Sequence, residues 1–375
     1  MFFRVVPMLS LAVTIFTPLF TAQAADLTPI QALGKQLFFD ARLSSPAGQS
    51  CAHCHSPQHG FSDPRSDRLP VSEGVRPGRF TPRNAPTVTY LARAPEFHFD
   101  KKQALHRGGF FMDGRAATLE QQVLGPVMSP VEMANTGKAD IVNRLNNSGY
   151  TSQFRHVFGT EVLSQEQSGI DALALALAAY VRSTELNSFS SKYDAYLAGQ
   201  VRLTQQELRG LRLFEDEKKG NCAACHPSRP DNGAAPLFTD FSYDNLGVPA
   251  NPASPFYTQD PQFNADGKRY IDTGLGKILN DATGNGKFKV PTLRNIALTA
   301  PYMHNGVFGS LREVVEFYNA RDVSSKWAAA EVRRNINKDE LGDLGLTDQE
   351  IDDIVAFMKT LTDGYSAVSP VKCCE

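Results

Sequence analysis

Cys51-Ala52-His53-Cys54-His55 and Cys222-Ala223-Ala224-Cys225-His226 decide how this chain is read. C-x-x-C-H is the attachment signature of c-type haem: two thiols add to the porphyrin vinyl groups, and the adjacent imidazole is left under the iron as proximal ligand. The same cysteine spacing also serves redox centres and zinc sites. A thioredoxin-like motif needs no following histidine and sits in a βαβ pattern, which is absent here. Zinc would want other ligands at suitable spacing, and the remaining cysteines, Cys373 and Cys374, are a lone pair at the end of the chain. Two motifs, each in a matching frame, predict two covalent haems, held by Cys51, Cys54 and His55 and by Cys222, Cys225 and His226.

The frame is a weak internal repeat. Ala32-Leu33-Gly34-Lys35-Gln36-Leu37-Phe38-Phe39-Asp40 precedes the first motif and Leu208-Arg209-Gly210-Leu211-Arg212-Leu213-Phe214-Glu215-Asp216 the second. Both read as helices with apolar residues three and four apart. Thr204-x-x-Glu207 is a capping box that opens the second. Each half also closes on a helix. Ile170 to Arg182 is rich in Ala and Leu, and Thr347-x-x-Glu350 caps a run with Ile351, Ile354, Val355, Met358 and Leu361 on one face. Between these lie long Pro/Gly/Asn-rich stretches, notably 227–291, suited to wrapping a cofactor rather than building sheets. The expected fold is mostly α, two cytochrome c-like domains with one covalent c-type haem each, 25–199 and 200–375.

Residues 1–24 read as a processing segment: Arg4, an apolar run from Val5 to Phe20 broken by Pro7 and Pro18, and an A-x-A site at Ala22-Gln23-Ala24. A cleaved signal peptide and a periplasmic protein are expected. The formal net charge of −2 gives no reason to expect nucleic acid or an anionic membrane surface, and no later apolar run is long enough to span a bilayer. Cys373-Cys374 read as a strained vicinal pair or a loose tail, with an intermolecular disulfide left open.

Further motifs appear in order along the chain: Pro82-Arg83-Asn84-Ala85-Pro86-Thr87, Asp113-Gly114-Arg115, Lys289-Val290-Pro291-Thr292-Leu293-Arg294-Asn295 and Leu298-Thr299-Ala300-Pro301-Tyr302-Met303-His304-Asn305-Gly306. With the two haem motifs they make the chain resemble the bacterial di-haem cytochrome c peroxidase/MauG family. The resemblance implies an N-terminal haem that meets hydrogen peroxide and a C-terminal haem that transfers electrons.

At the peroxide end, O–O cleavage needs a group that takes a proton from one oxygen and returns it to the other. Glu132 alone would read as a surface carboxylate. Its frame Pro126-Val127-Met128-Ser129-Pro130-Val131-Glu132 matches the family's distal glutamate, Gln122 its distal glutamine, and Pro126 the same pocket. Many relatives carry a histidine before Pro-Arg-Asn that ligates the resting haem. Residues 71–81 contain none, so the first haem is expected to be five-coordinate without reductive activation. His53, His59, His98, His106 and His156 read as surface or packing residues.

At the other end, Ser310-Leu311-Arg312-Glu313 reads as a capping box, with Leu311, Val314, Val315 and Tyr318 on one buried face. Periodicity alone makes Tyr318 a core aromatic and leaves Met303 or another methionine as the ligand. Counting from His304, the resemblance puts Tyr318 at the family's ligand slot, as in MauG. A thioether ligand raises the potential and favours Fe(II), whereas a phenolate favours higher oxidation states.

The resemblance also implies a calcium ion between the haems, held at Asn84, Thr299 and Pro301 by oxygen ligands suited to a hard cation. Two departures stand out. Met112 occupies the position of the tryptophan usual between the haems, and Gly220 that of the surface tryptophan of MauG. The only tryptophan is Trp327. The reading is therefore a periplasmic, peroxide-dependent di-haem oxidoreductase of MauG type. It would oxidatively modify an aromatic residue of a partner protein through high-valent haem iron. The alternative is a cytochrome c peroxidase drawing electrons from a small c-type cytochrome or cupredoxin. A plain electron carrier is a third reading, disfavoured by Glu132 and by the missing histidine.

Overall fold

The computed structural model describes residues 26–65 and 68–366. The expected signal peptide and Cys373-Cys374 lie outside the described residues. The architecture is mostly α, organised by six longer helices: α1 (Pro29–Phe39), α2 (Leu119–Met128), α3 (Glu166–Val181), α4 (Gln205–Glu215), α5 (Leu311–Ala320) and α6 (Asp348–Lys359). Strand structure in the described residues is slight. The antiparallel pair His98–Asp100 with Leu105–Arg107 lies in the first half, and Tyr243–Asp244 with Phe288–Lys289 in the second.

The repeat seen in the sequence is a repeat of structure. Helix α1 begins on Thr28, whose hydroxyl takes the Gln31 N–H while the Gln31 amide oxygen takes the Thr28 N–H at 3.0 Å. Helix α4 begins the same way on Thr204 and Glu207, and α6 on Thr347 and Glu350. These caps satisfy N–H groups that a helix start leaves without partners. Helix α1 packs on α3 and α4 on α6, each at a glycine. A methyl at Gly34 would run into the Ala176 carbonyl oxygen, and one at Gly210 into the Asp353 carbonyl oxygen. The two glycines hold equivalent places in the repeat.

Two apolar cores follow. The first contains Leu33, Leu37, Phe38, Leu173, Leu177 and Tyr180. The second contains Phe214, Phe238, Phe317, Ile354, Phe357 and Leu361, with Tyr193 packing into it from ahead of Gly199. Buried ion pairs tie the halves together. Arg83 grips Asp272 through Nε at 2.6 Å and Nη2 at 2.8 Å and reaches Asp113 at 2.7 Å. Tyr90 donates to Asp363 at 2.7 Å. Each buried charge thus meets a partner, without which desolvation would cost several kcal/mol. Among the described residues no helix is long and apolar enough to cross a membrane.

Candidate haem sites and peroxide cavity

Each C-x-x-C-H motif forms one tight turn that points its imidazole outward from the same scaffold. His55 Nδ1 lies 3.1 Å from the Phe61 carbonyl, and His226 Nδ1 lies 2.7 Å from the Phe238 carbonyl. A carbonyl only accepts, so Nδ1 carries the proton and the Nε2 lone pair is left for a metal; this is the usual orienting bond behind a ligating histidine. Burial holds both imidazoles below the usual histidine range, hence neutral. His53 is absorbed locally, its Nδ1 accepting from the Ser50 N–H at 3.0 Å.

The cysteines Cys51, Cys54, Cys222 and Cys225 are not disulfide-linked. Burial pushes their thiols up, to about 12 for Cys51, Cys222 and Cys225 and about 11 for Cys54. No group of three or more His, Cys, Asp or Glu suited to a metal occurs among the described residues. A pair of neutral thiols beside a free imidazole nitrogen fits covalent haem.

On the far side of the first motif, α2 is capped by Thr118 and runs through Pro126, which has no N–H to offer the Gln122 carbonyl. A turn follows, the Glu132 N–H reaching the Ser129 carbonyl at 3.2 Å. Glu132 enters a cavity of about 360 Å³ lined by Phe111, Arg115, Ala116, Gln121, Gly125 and Ser129. Gln122 and Pro126 sit one turn apart on the adjoining face of α2, half-buried, and line none of it. Burial raises the Glu132 carboxyl above the usual carboxylate range; a hydrogen bond with Ser129 and the Arg115 charge oppose the rise. Glu132 also acts electrostatically on the Cys51 and Cys54 thiols, so carboxylate and haem motif are neighbours.

Residues 71–81 are bound down over this cavity. The Val75 N–H bonds the Glu132 carbonyl at 2.8 Å, and the Ser72 hydroxyl bonds Asp63 at 2.6 Å. Arg79 reaches the Pro130 carbonyl at 3.0 Å, and the Phe80 N–H the Gln259 side chain at 2.8 Å. Gly74 has no room for a side chain, because a Cβ would meet the Val131 carbonyl.

The second site differs. Ser310 caps α5 by accepting the Glu313 N–H at 3.2 Å, but the Glu313 carboxylate takes the Gly309 N–H at 2.9 Å instead of the Ser310 N–H. The expected reciprocal box is therefore displaced by one residue. The expected stripe is also divided: Leu311 and Val315 are buried, Val314 and Tyr318 are half-buried, and Phe317 is fully buried. Phe317 goes inside because Phe308 and Trp327 pack on it at 4.8 and 5.3 Å. The Tyr318 hydroxyl has no hydrogen-bond partner among the described residues. Burial pushes its ionisation up, and it lies close to Cys222 and Cys225. Met303 packs against the same core.

Between the halves, the Asn84 side-chain nitrogen donates to the Pro301 carbonyl at 2.5 Å, with Thr299 two residues earlier. Met112 accepts the Lys289 N–H at 2.8 Å through its carbonyl. Gly220 is buried, a Cβ there meeting the Leu213 carbonyl, so no surface aromatic fits that position. Phe111, Arg115, Ser129 and Gln121 were not singled out as cavity residues; the Asp-Gly-Arg motif was the available signal for Arg115.

Residues 29–202 match the family model for di-haem cytochrome c peroxidase. The methylamine utilization protein MauG of Paracoccus denitrificans is 40% identical over 360 residues, covering 91% of this chain and 90% of that protein. Cytochrome c551 peroxidase of Nitrosomonas europaea is 34% identical over 91% of this chain and 81% of its own. Among solved structures, the diheme peroxidase BthA from Burkholderia thailandensis matches with a TM-score of 0.79 and 36% identity, over 92% of this chain and 88% of that one. The chain belongs to the di-haem cytochrome c peroxidase/MauG family of oxidoreductases acting on peroxide.

Proposed function

We propose that this is an exported, periplasmic di-haem enzyme of MauG type, which uses hydrogen peroxide to modify an aromatic residue of a partner protein. The observation that carries the reading is Tyr318 on α5, which lies near Cys222 and Cys225 and whose hydroxyl has no hydrogen-bond partner among the described residues. Haem bound covalently at the two motifs would supply the iron that takes up both oxidising equivalents of peroxide. Cys51 with Cys54 and Cys222 with Cys225 would tether it, His55 and His226 would ligate it through Nε2, and Tyr318 would offer the second site an anionic oxygen, which favours higher oxidation states.

Residues 71–81 hold no histidine and are bound in place, so they would offer no second ligand to a haem held by His55. Glu132 takes a proton from one peroxide oxygen and returns it to the other; the upward pull of burial on its carboxyl suits both directions of transfer. Gln122 and Pro126, on the adjoining face of α2 outside the cavity lining, would meet the haem rather than the peroxide pocket. The chain divides near Gly199 into one haem unit on each side. A calcium ion suits the Asn84–Pro301 contact: turning the Asn84 amide over would bring two oxygens together, with the Thr299 carbonyl nearby, an arrangement that needs a hard cation.

One observation favours the second reading, a cytochrome c peroxidase served by a small electron-donor protein. Burial in the polypeptide alone disfavours a Tyr318 phenolate. Tyr318→Phe separates the readings because it keeps the ring and its packing. The proposal expects loss of the low-spin spectrum of the second haem, a raised potential, and no modified partner in mass spectra. An unchanged spectrum and potential would make Tyr318 a core residue and favour the peroxidase.

A further inference from the structure

Asp113-Gly114-Arg115 sets a guanidinium, 44% exposed, at the edge of the cavity that Glu132 enters. Arg115 Nη1 donates to both oxygens of Asp113, at 2.8 and 2.9 Å. Asp113 is buried and is held from its other side by Arg83 at 2.7 Å. The Arg115 guanidinium carbon lies 3.5 Å from the centre of the Phe111 ring, and that ring fills the space beside Gly125, where an added Cβ would stand 2.7 Å from it. The guanidinium is thus clamped between a carboxylate and an aromatic face, a geometry lysine cannot reproduce. Its Nε and Nη2 have no partner among the described residues, and Arg115 lines the cavity.

We infer that Arg115 is the positioning residue of this cavity: its fixed charge opposes Glu132, and its uncommitted N–H donors orient peroxide toward the Glu132 carboxylate. The inference rests on Glu132 being the acid–base group. A base must be ionised before it can take the peroxide proton, and burial alone works against ionisation here. The Arg115 charge and the Ser129 hydrogen bond are what oppose it. The other charged groups nearby are committed: Arg79 to the Pro130 carbonyl and the Phe263 ring, and Glu73 to the Gly78 N–H. Cys51 and Cys54 carry no charge as thioethers. The proton that Glu132 takes from one oxygen goes back to the other, so Arg115 neither gains nor loses one.

The signs follow. Removing the positive charge makes the Glu132 carboxylate harder to form, so its titration and the acid limb of the peroxide reaction both move to higher pH. Removal is tolerable because Asp113 keeps Arg83. The experiment uses the holoenzyme, Arg115→Met and Arg115→Lys. The Glu132 carboxyl band in infrared pH titration is identified by its absence in Glu132→Gln, and stopped-flow mixing with hydrogen peroxide is followed across pH. In Arg115→Met the midpoint and the acid limb are expected to rise together by about one pH unit, with the neutral-pH rate falling about tenfold. Arg115→Lys keeps the charge without the clamp, so the midpoint should stay near the wild type while the rate falls severalfold. An unmoved midpoint and limb in Arg115→Met with both haems attached overturns the inference. If that variant does not assemble, a wild-type rate in Arg115→Lys overturns it. Wild-type reaction in Glu132→Gln would instead overturn the acid–base assignment of Glu132.

Discussion

The two haem motifs stand on almost the same scaffold and face different surroundings. In both halves a capped helix crosses a second helix at a glycine and leads into the turn that carries the cysteines. In both, the histidine Nδ1 is fixed by a backbone carbonyl. Beside the first motif, however, is a cavity lined by the half-buried Glu132 carboxylate and by the exposed cation Arg115. Beside the second motif, α5 brings up Tyr318, whose phenol has no hydrogen-bond partner among the described residues. The motif and its scaffold are thus duplicated, while the residues facing each motif come from one local element: the 111–132 segment in one half, α5 in the other. On the proposed reading, holding a haem and deciding what it does are separable parts of this molecule.

The largest expected effect tests whether the duplication is real. Replacing Cys222 and Cys225 by Ala should leave one covalent haem where the wild type carries two, read by intact mass of exported protein, with the first site still reacting with peroxide. A single haem in the wild type would break the comparison outright. A smaller effect concerns the helix crossings. Gly34→Ala and Gly210→Ala should each lower stability in urea unfolding by about 1–3 kcal/mol, the usual cost of overpacking. That outcome is opposite in sign to the gain of about 1 kcal/mol that alanine brings to an exposed helix interior. A stabilised Gly210→Ala beside a destabilised Gly34→Ala would mean that the two crossings are not equivalent.

Local signals were the most legible in the sequence. Thr204 with Glu207 and Thr347 with Glu350 each lie within one turn and need nothing from the rest of the chain, and both boxes form. The Ser310 box was half right, because Gly309 competes for the same carboxylate. Phe317 could not be placed by periodicity. It is buried by Phe308 and Trp327, which close on α5 from outside its stripe. Of the cavity beside the first motif, the sequence points to Glu132. Phe111, held at a positive φ of 61°, and Arg115 line it too. The Arg115–Asp113 pair spans only two residues and lies within the Asp-Gly-Arg motif, but the bond from Arg83 that holds Asp113 from its other side spans thirty, and no local spacing reveals it.

The central claim is that the two sites differ in ligation, open at the first and closed by Tyr318 at the second. Electron paramagnetic resonance of the oxidised holoenzyme tests it most directly. The account predicts one high-spin ferric signal and one low-spin signal in the protein as isolated, with reaction toward peroxide before any reduction. Two low-spin signals, with peroxide reacting only after half-reduction, would contradict it.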